Sequence, residues 1–210
     1  MTTSKSGFCL ISELHLQSAC ISGEGLQVLQ SLQQTKIDLQ ILDLAFNDLG
    51  NEAAYHLQYV IPTLVSLNLS TTKLGLKGCL ELARHFNIFS EENGVQYSAL
   101  KYLDLSNNHI GTEGFTKLIS KLRYSTQLLS LNVSQNEMIE NPEKFDQLEK
   151  FLSMNKSCQT LNLHGCGLSK LHLFHIGDGL SKNSALVKLS LGDNNLSDPL
   201  CIKYITDGLL

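Results

Sequence analysis

One short phrase recurs seven times along the chain, and that recurrence limits what the chain can fold into more than any other feature. The phrase is apolar-x-x-Leu-x-apolar. It first reads Ile11-Ser-Glu-Leu14-His-Leu16. It returns at Leu39 to Leu44, Leu64 to Leu69, Leu100 to Leu105, Leu128 to Val133, Cys158 to Leu163 and Leu186 to Leu191. Three residues beyond its last apolar position stand Ala19, Asn47, Thr72, Asn108, Asn136, Cys166 and Asn194. Two further on stand Ile21, Leu49, Leu74, Ile110, Met138, Leu168 and Leu196. The central leucines, at 14, 42, 67, 103, 131, 161 and 189, are separated by 28, 25, 36, 28, 30 and 28 residues. A period in this range marks a stacked-repeat architecture.

Each unit carries the same physics. Leu-x-Leu alternates with period two, which is a short strand with one apolar face. The Asn that follows falls in a tight turn, where its amide can donate to and accept from loop backbone that would otherwise be buried unpaired. Cys166 is small and a weak donor, so it replaces Asn in part. Helical spacing then begins, as in Gly114-Phe115…Leu118-Ile119…Leu122, Gly25-Leu26…Leu29…Leu32, Ala53…Leu57…Ile61 and Gly78…Leu82…Phe86. Gly25, Ala53, Gly78 and Gly114 are small enough to let each helix start close to its neighbour. Neither a strand of about six residues nor a helix of about twelve can bury its apolar side alone, so the units stack into one continuous core. Helices about 10 Å wide on one side and strands about 4.8 Å apart on the other bend the stack. The expected fold is an α/β solenoid, a curved right-handed β-α superhelix of about seven repeats. Its parallel strands line the concave face and its helices the convex face.

The run Leu100-x-x-Leu103-x-Leu105-x-x-Asn108-x-Ile110-x-x-x-Gly114-x-x-x-Leu118 resembles the ribonuclease-inhibitor-like subtype of leucine-rich repeat. The resemblance spans about residues 9–210. It implies repeats of about 28 residues with a full helix in each, and a Cys that sometimes takes the Asn position, as Cys166 does. It does not fix a function, because related proteins include ribonuclease inhibitor, Ran GTPase-activating protein, the sensor ends of NOD-like receptors, tropomodulin and a Tonsoku-type repair scaffold.

Departures from the repeat are informative. The step of 36 residues places extra chain around 87–98, read as an exposed loop inserted between a helix and the next strand. Asn141-Pro142 stands where a small residue is expected, so that helix should start at Pro142 and run through Phe145, Leu148 and Leu152. His172 occupies the small-residue position of the sixth unit, so its helix should pack differently. The first unit begins near Met1 and the last ends within a helical pattern. The expected organisation is therefore one leucine-rich repeat domain over 1–210, belonging to a larger protein.

Function should reside on the strand face. The residues between the strand leucines form three columns. Glu13, Ile41, Ser66, Tyr102, Ser130, Thr160 and Lys188 form the first. His15, Asp43, Asn68, Asp104, Asn132, Asn162 and Ser190 form the second, and Gln17, Ala45, Ser70, Ser106, Ser134, His164 and Gly192 the third. Tyr102 and Ile41 are the large apolar projections, with Phe46 on the adjoining turn. The expected partner-binding residues are Glu13, His15, Asp43, Phe46, Asn68, Tyr102, Asp104, Asn132, Asn162, His164 and Lys188. The first 105 residues hold 10 acidic and 6 basic groups, and the last 105 hold 10 of each. That excess favours a basic protein partner through steering and disfavours a phosphate backbone. Asn47, Asn108, Asn136, Cys166 and Asn194 are expected to form the structural ladder.

Other chemistries find little support. His164, Cys166, His172 and His175 share one repeat, but the strand–helix layering separates them, so no metal site is expected. The six cysteines show no paired spacing, which fits reduced thiols in an intracellular protein, cytoplasmic or nuclear. Met1 to Phe8 lacks the apolar segment of a signal peptide, and no apolar run reaches the 18–20 residues of a membrane span. No cofactor, small-molecule substrate or catalytic residue is expected. The leading reading is a non-catalytic protein-binding module. The alternatives are a scaffold segment of a nuclear DNA-repair or chromatin protein, and a GTPase-activating domain for a small GTPase using Arg84 or Arg123.

Overall fold

The computed structural model describes residues 11–34, 38–90 and 94–210. Met1 to Phe8 and Cys9 lie outside the described residues. Among the described residues, seven strands form one parallel sheet: β1 (Glu13–His15), β2 (Ile41–Asp43), β3 (Ser66–Asn68), β6 (Tyr102–Asp104), β7 (Ser130–Asn132), β8 (Thr160–Asn162) and β9 (Lys188–Ser190). Each central Leu pairs with the next: Leu14 with Leu42, then Leu67, Leu103, Leu131, Leu161 and Leu189. The seven phrases thus set the register residue for residue. After each strand comes a helical segment. These are a 3₁₀ helix (Glu24–Gln34), α1 (Ala53–Leu57), α2 (Gly75–Arg84), α3 (Gly111–Leu122), a 3₁₀ turn (Pro142–Phe145) leading into α4 (Asp146–Met154), α5 (Lys170–Leu180) and α6 (Pro199–Gly208). This is the expected α/β solenoid.

The core is the leucine stack. Leu44, Leu69, Leu105, Val133 and Leu163 are 0% exposed, as are Phe115 and Phe145, whose rings lie 5.6 Å apart. Fully burying such a side chain contributes about 1.5–3 kcal/mol, so no single unit holds itself together without the next.

The turn after each strand has one shape. Ser18, Phe46, Thr71, Asn107, Gln135, Gly165 and Asp193 all have positive φ, and each lies four residues beyond its central leucine. The left-handed residue lets the chain leave the sheet and return over it to the helix side.

Residues 87–98 depart from the expected loop. β4 (Asn87–Ser90) and β5 (Gly94–Tyr97) pair antiparallel, with Phe89 opposite Val95, while residues 91–93 lie outside the described residues. Ser98 N–H donates to Phe86 C=O at 3.2 Å, closing the insertion at its base. A backbone that exchanges hydrogen bonds across a ribbon satisfies itself without entering the repeat stack.

The fifth and sixth helices follow their anomalies. Pro142 opens a single 3₁₀ turn before α4, as its missing N–H permits. His172 is 2% exposed, and its ring meets Phe145 edge-on at 4.3 Å. Ser169 N–H donates to His172 Nδ1 at 3.0 Å, so the imidazole caps the start of α5. Burial is the main cause holding the His172 pKa below its ordinary 6.5, and the charge of His175 adds to it. The unfolded chain therefore takes up this proton at higher pH than the folded one. Stability is full above pH 6.5 and declines as pH falls from there toward the folded value. His172→Gln keeps an acceptor at the cap and removes the titration. Its urea midpoint should fall less between pH 6.5 and 5 than that of the wild type; parallel curves would refute the assignment.

Candidate functional site on the strand face

Two sets of Asn side chains do different work, and separating them defines the site. The inner set is the ladder. Asn108 Oδ1 accepts from Thr72 N, Thr72 Oγ1 and Leu74 N, each at 3.0 Å, and its Nδ2 donates to the carbonyls of Leu69, Leu105 and Ser106 at 2.6–3.1 Å. Asn47, Asn136 and Asn194 repeat this pattern into the preceding coil. Cys166 reaches only Val133 C=O and His164 C=O with its Sγ, and its backbone carbonyl receives the Met138 N–H instead. Thr72 uses the same device, its carbonyl receiving Leu49 N–H and Gly50 N–H.

A second ladder, on the opposite edge, went unread in the sequence. Asn155 Nδ2 donates to the Leu122 and Ser125 carbonyls while its Oδ1 caps Ser157 N and Cys158 N. Asn183 does the same between Leu152 and the Ala185 and Leu186 amides. The signal is a polar residue three before the strand phrase: Ser125, Asn155, Asn183.

The outer set lies on the strand face. Asp43, Asn68, Asp104, Asn132 and Asn162 are half-buried, and each accepts the N–H two residues on, at 2.8–3.1 Å. These five second-column side chains thus close their strands' exit turns as well as facing outward. Neighbours link sideways. Gln17 Nε2 and Asn68 Nδ2 donate to Asp43 Oδ2, and Asn132 Nδ2 donates to Asp104 Oδ2 at 2.7 Å. Alternation of Asp and Asn across β2, β3, β6 and β7 places an amide beside each carboxylate and keeps the two carboxylates two strands apart.

The structure brings together His15, Asp43, Asn68, Tyr102, Asp104 and Asn132 around a hollow of about 300 Å³, with Ile41, Ser66 and Ser130 in its wall. Tyr102 rises from it, 48% exposed, between the small side chains of Ser66 and Ser130. Phe46 stands on the turn leaving β2, 62% exposed with φ +58°. Its counterparts in other coils are Ser, Thr, Asn, Gln, Gly and Asp. An exposed aromatic in a conformation that favours small polar residues gives up stability without packing in return. The remaining expected residues lie apart. Glu13 is at the β1 edge with His15 Nε2 3.7 Å from its carboxylate. Asn162 and His164 belong to the β8 coil, where His164 Nε2 is 3.5 Å from Asp193, and Lys188 is exposed on β9.

The helix side offers different chemistry. Arg84 pairs with Glu81, and Arg123 donates to Gln147 and stands 6.0 Å from the Tyr124 ring centre, so neither arginine reaches the strand face. Among the described residues, no group of three or more His, Cys, Asp or Glu is placed to hold a metal ion. Burial pushes the thiols of Cys79, Cys158 and Cys166 up to about 12, 11 and 11, which keeps them protonated. No described helix is long and apolar enough to cross a membrane.

Registered Leu-x-Leu strands, an asparagine ladder and a helix after each strand define a leucine-rich repeat solenoid. The sequence model described as Leucine Rich repeat matches residues 36–57 and 99–118, within the second and fourth of these units. Leucine-rich repeat-containing protein 73 of Rattus norvegicus and of Homo sapiens are each 31% identical to it over 105 residues, half of this chain and 33% of theirs. NACHT, LRR and PYD domains-containing protein 14 of Mus musculus is 28% identical over 197 residues, 90% of this chain and 18% of that protein. The alignments thus span a third or less of these relatives' lengths. Among solved structures, Leiomodin-1 Actin-Binding Site 2 aligns over 94% of this chain and 80% of its own, with 13% identity and a TM-score of 0.41.

Proposed function

We propose that this chain is a non-catalytic module that binds a basic protein segment on its strand face, over the hollow walled by Asp43, Tyr102 and Asp104. The observation that carries the reading is the pairing of exposed aromatics with carboxylates on an otherwise small, polar surface. Tyr102 supplies an anchor with few rotamers to freeze, and aromatic anchors dominate binding energy at protein interfaces. Asp43 and Asp104 supply negative charge that draws a Lys or Arg head, their Oδ2 atoms accepting it beside the amide N–H groups of Gln17, Asn68 and Asn132, and the head can also lie over the Tyr102 ring. Among the described residues, Cys20, Cys79, Cys158, Cys166 and Cys201 are free thiols, which supports a reducing, intracellular setting for it.

The test needs substitutions that remove charge without removing the turn. Replacing Asp43 or Asp104 by Lys would abolish the exit-turn acceptor, whereas Asn keeps it, as Asn68 and Asn132 do in neighbouring coils. Protein captured from cell extract by the wild type should be lost with Asp43→Asn/Asp104→Asn and with Tyr102→Ala, both folded by circular dichroism. Capture unchanged by either would place the binding surface elsewhere. Phe46→Asn should lose capture while raising stability by about 1 kcal/mol in urea, because it relieves the left-handed backbone.

A further inference from the structure

We propose that the helix side carries a docking groove of its own, over α3, and that this groove takes an acidic segment of a partner protein. One small row makes the groove. Thirteen residues beyond the central leucine, other coils place Tyr55, Leu80, Phe174 and Ile202, but α3 places Thr116 there. Tyr55, Phe174 and Ile202 are exposed, whereas Thr116 is buried and turns its hydroxyl back onto Glu113 C=O at 3.1 Å. Ser120, one turn on, donates to Lys117 C=O at 2.6 Å in the same way. The outer surface of α3 is therefore a low floor between α2 and α4, and the hollow above it measures about 650 Å³.

The charges over this floor break a rule that the neighbouring helices keep. Asp146 pairs with Lys150 in α4 at 2.7 Å, Asp178 with Lys182 at the end of α5 at 2.7 Å, and Lys203 with Asp207 in α6 at 2.6 Å, each pair four residues apart. At that same spacing α3 sets Lys117 beside Lys121, and both line the hollow. Among the described residues, neither of these two lysines joins an ion pair. Like charges one turn apart destabilise a helix. A local rule broken with no return inside the fold marks a functional surface, and here the return must come from negative charge brought from outside.

The walls say what kind of anion. Arg84 faces the lysines from the end of α2; Glu81 takes its Nη1, and the side chain is 71% exposed, so the rest of its fork is open to a carboxylate. On the α4 side stands Gln147, whose Oε1 accepts from Arg123 Nη2 at 2.5 Å, so a fourth cation backs that wall. Lys117 and Lys121 lie one helical turn apart, about 6 Å, which matches carboxylates at every fourth residue of a partner helix. Leu80 adds an apolar contact for an aliphatic side chain between them. A phosphate backbone fits less well, because Glu113 stands in the wall and the chain as a whole carries a net charge of −4. The occupant is therefore an acidic helix with an aliphatic residue on the same face, held on the helix side and away from the strand-face hollow.

Fluorescence anisotropy of the full chain with a labelled helical Glu/Leu peptide, its glutamates at every fourth position, tests this. Wild type should bind the peptide, and the affinity should fall as salt rises. Lys117→Gln/Lys121→Gln should weaken binding about ten-fold. Glutamine is a good helix former, so the double variant should fold as the wild type does, checked by circular dichroism. Lys117→Glu/Lys121→Glu should lose the acidic peptide and bind its counterpart with lysine in place of glutamate. Lys150→Gln on α4 makes a change in net charge away from the groove and should leave the affinity within about two-fold. A wild type that does not bind, or that binds equally well with glutamine in place of glutamate, would overturn the proposal. So would a loss in Lys117→Gln/Lys121→Gln no larger than in Lys150→Gln. Tighter binding of a single-stranded oligothymidylate, lost in the same double variant, would also overturn it, because the groove would then belong to a phosphate backbone.

Discussion

Asn108→Ala should lower the free energy of unfolding by about 3 kcal/mol, the upper end of what an orphaned buried polar group costs. The side chain is 0% exposed and satisfies two N–H groups, one hydroxyl and three carbonyls in the loops of the third and fourth coils. Alanine removes every partner at once. Water cannot reach the site without opening the stack, so the loops must either stay unpaired or part from each other. The backbone N–H of residue 108, which alanine keeps, still donates to Asn136 Oδ1 at 3.0 Å, so the tie to the fifth coil survives and the damage centres on the third and fourth. Asn162→Ala is the comparison. It also caps a turn, but from the half-buried strand face with one N–H, so about 1 kcal/mol or less is expected. Urea denaturation of both variants measures the difference. A cost below about 0.5 kcal/mol for Asn108→Ala would show that loop polar groups find other partners and that the ladder does not hold the turns.

That contrast also marks what the sequence reveals. Strand register, the ladder and the buried leucines follow from one period, and each central leucine stands where its spacing puts it. The strand-face columns are legible too, since alternation fixes which side chains face outward. What alternation does not tell is how much of an outward side chain the backbone already uses. Asp43 and Asp104 read as free carboxylates, yet each gives one oxygen to an N–H two residues on. The β4–β5 ribbon escapes for another reason. Asn93-Gly94, following Ile88-Phe89 and preceding Val95, is a hairpin signal, but inside a repeat of other periods it reads as filler. The strain at Phe46 becomes visible only when its backbone angle is set beside those of its six counterparts.

Gly177→Ala should destabilise the last two coils, although the same change usually favours a helix by up to about 1 kcal/mol. In α5, a Cβ at Gly177 would stand 2.2 Å from Tyr204 C=O and 2.9 Å from its carbonyl carbon. Gly208 in α6 faces the same contact from the other side, where a Cβ would stand 2.3 Å from Gly177 C=O. The two helices thus touch backbone to backbone, and no side-chain rotation relieves the clash. Two turns of opposed logic meet in one helix, because a Cβ at Gly179 would press on Leu152 Cβ at 2.8 Å and Glu149 Cα at 3.1 Å on the α4 side. Overpacking of this kind costs about 1–3 kcal/mol, more than propensity returns, and α6 must tilt away to accept it. Gly25→Ala is the control: its Cβ would meet only the Ile21 methyl at 3.3 Å and Ser22 Oγ at 3.8 Å, so stability should hold or rise slightly. Hydrogen exchange should locate the damage, with amides of α5 and α6 losing protection in Gly177→Ala while those of α3 keep theirs. Because each coil leans only on its neighbours, a loss spread evenly from the first coil to the last would contradict both the contact and the stacked architecture that makes it local.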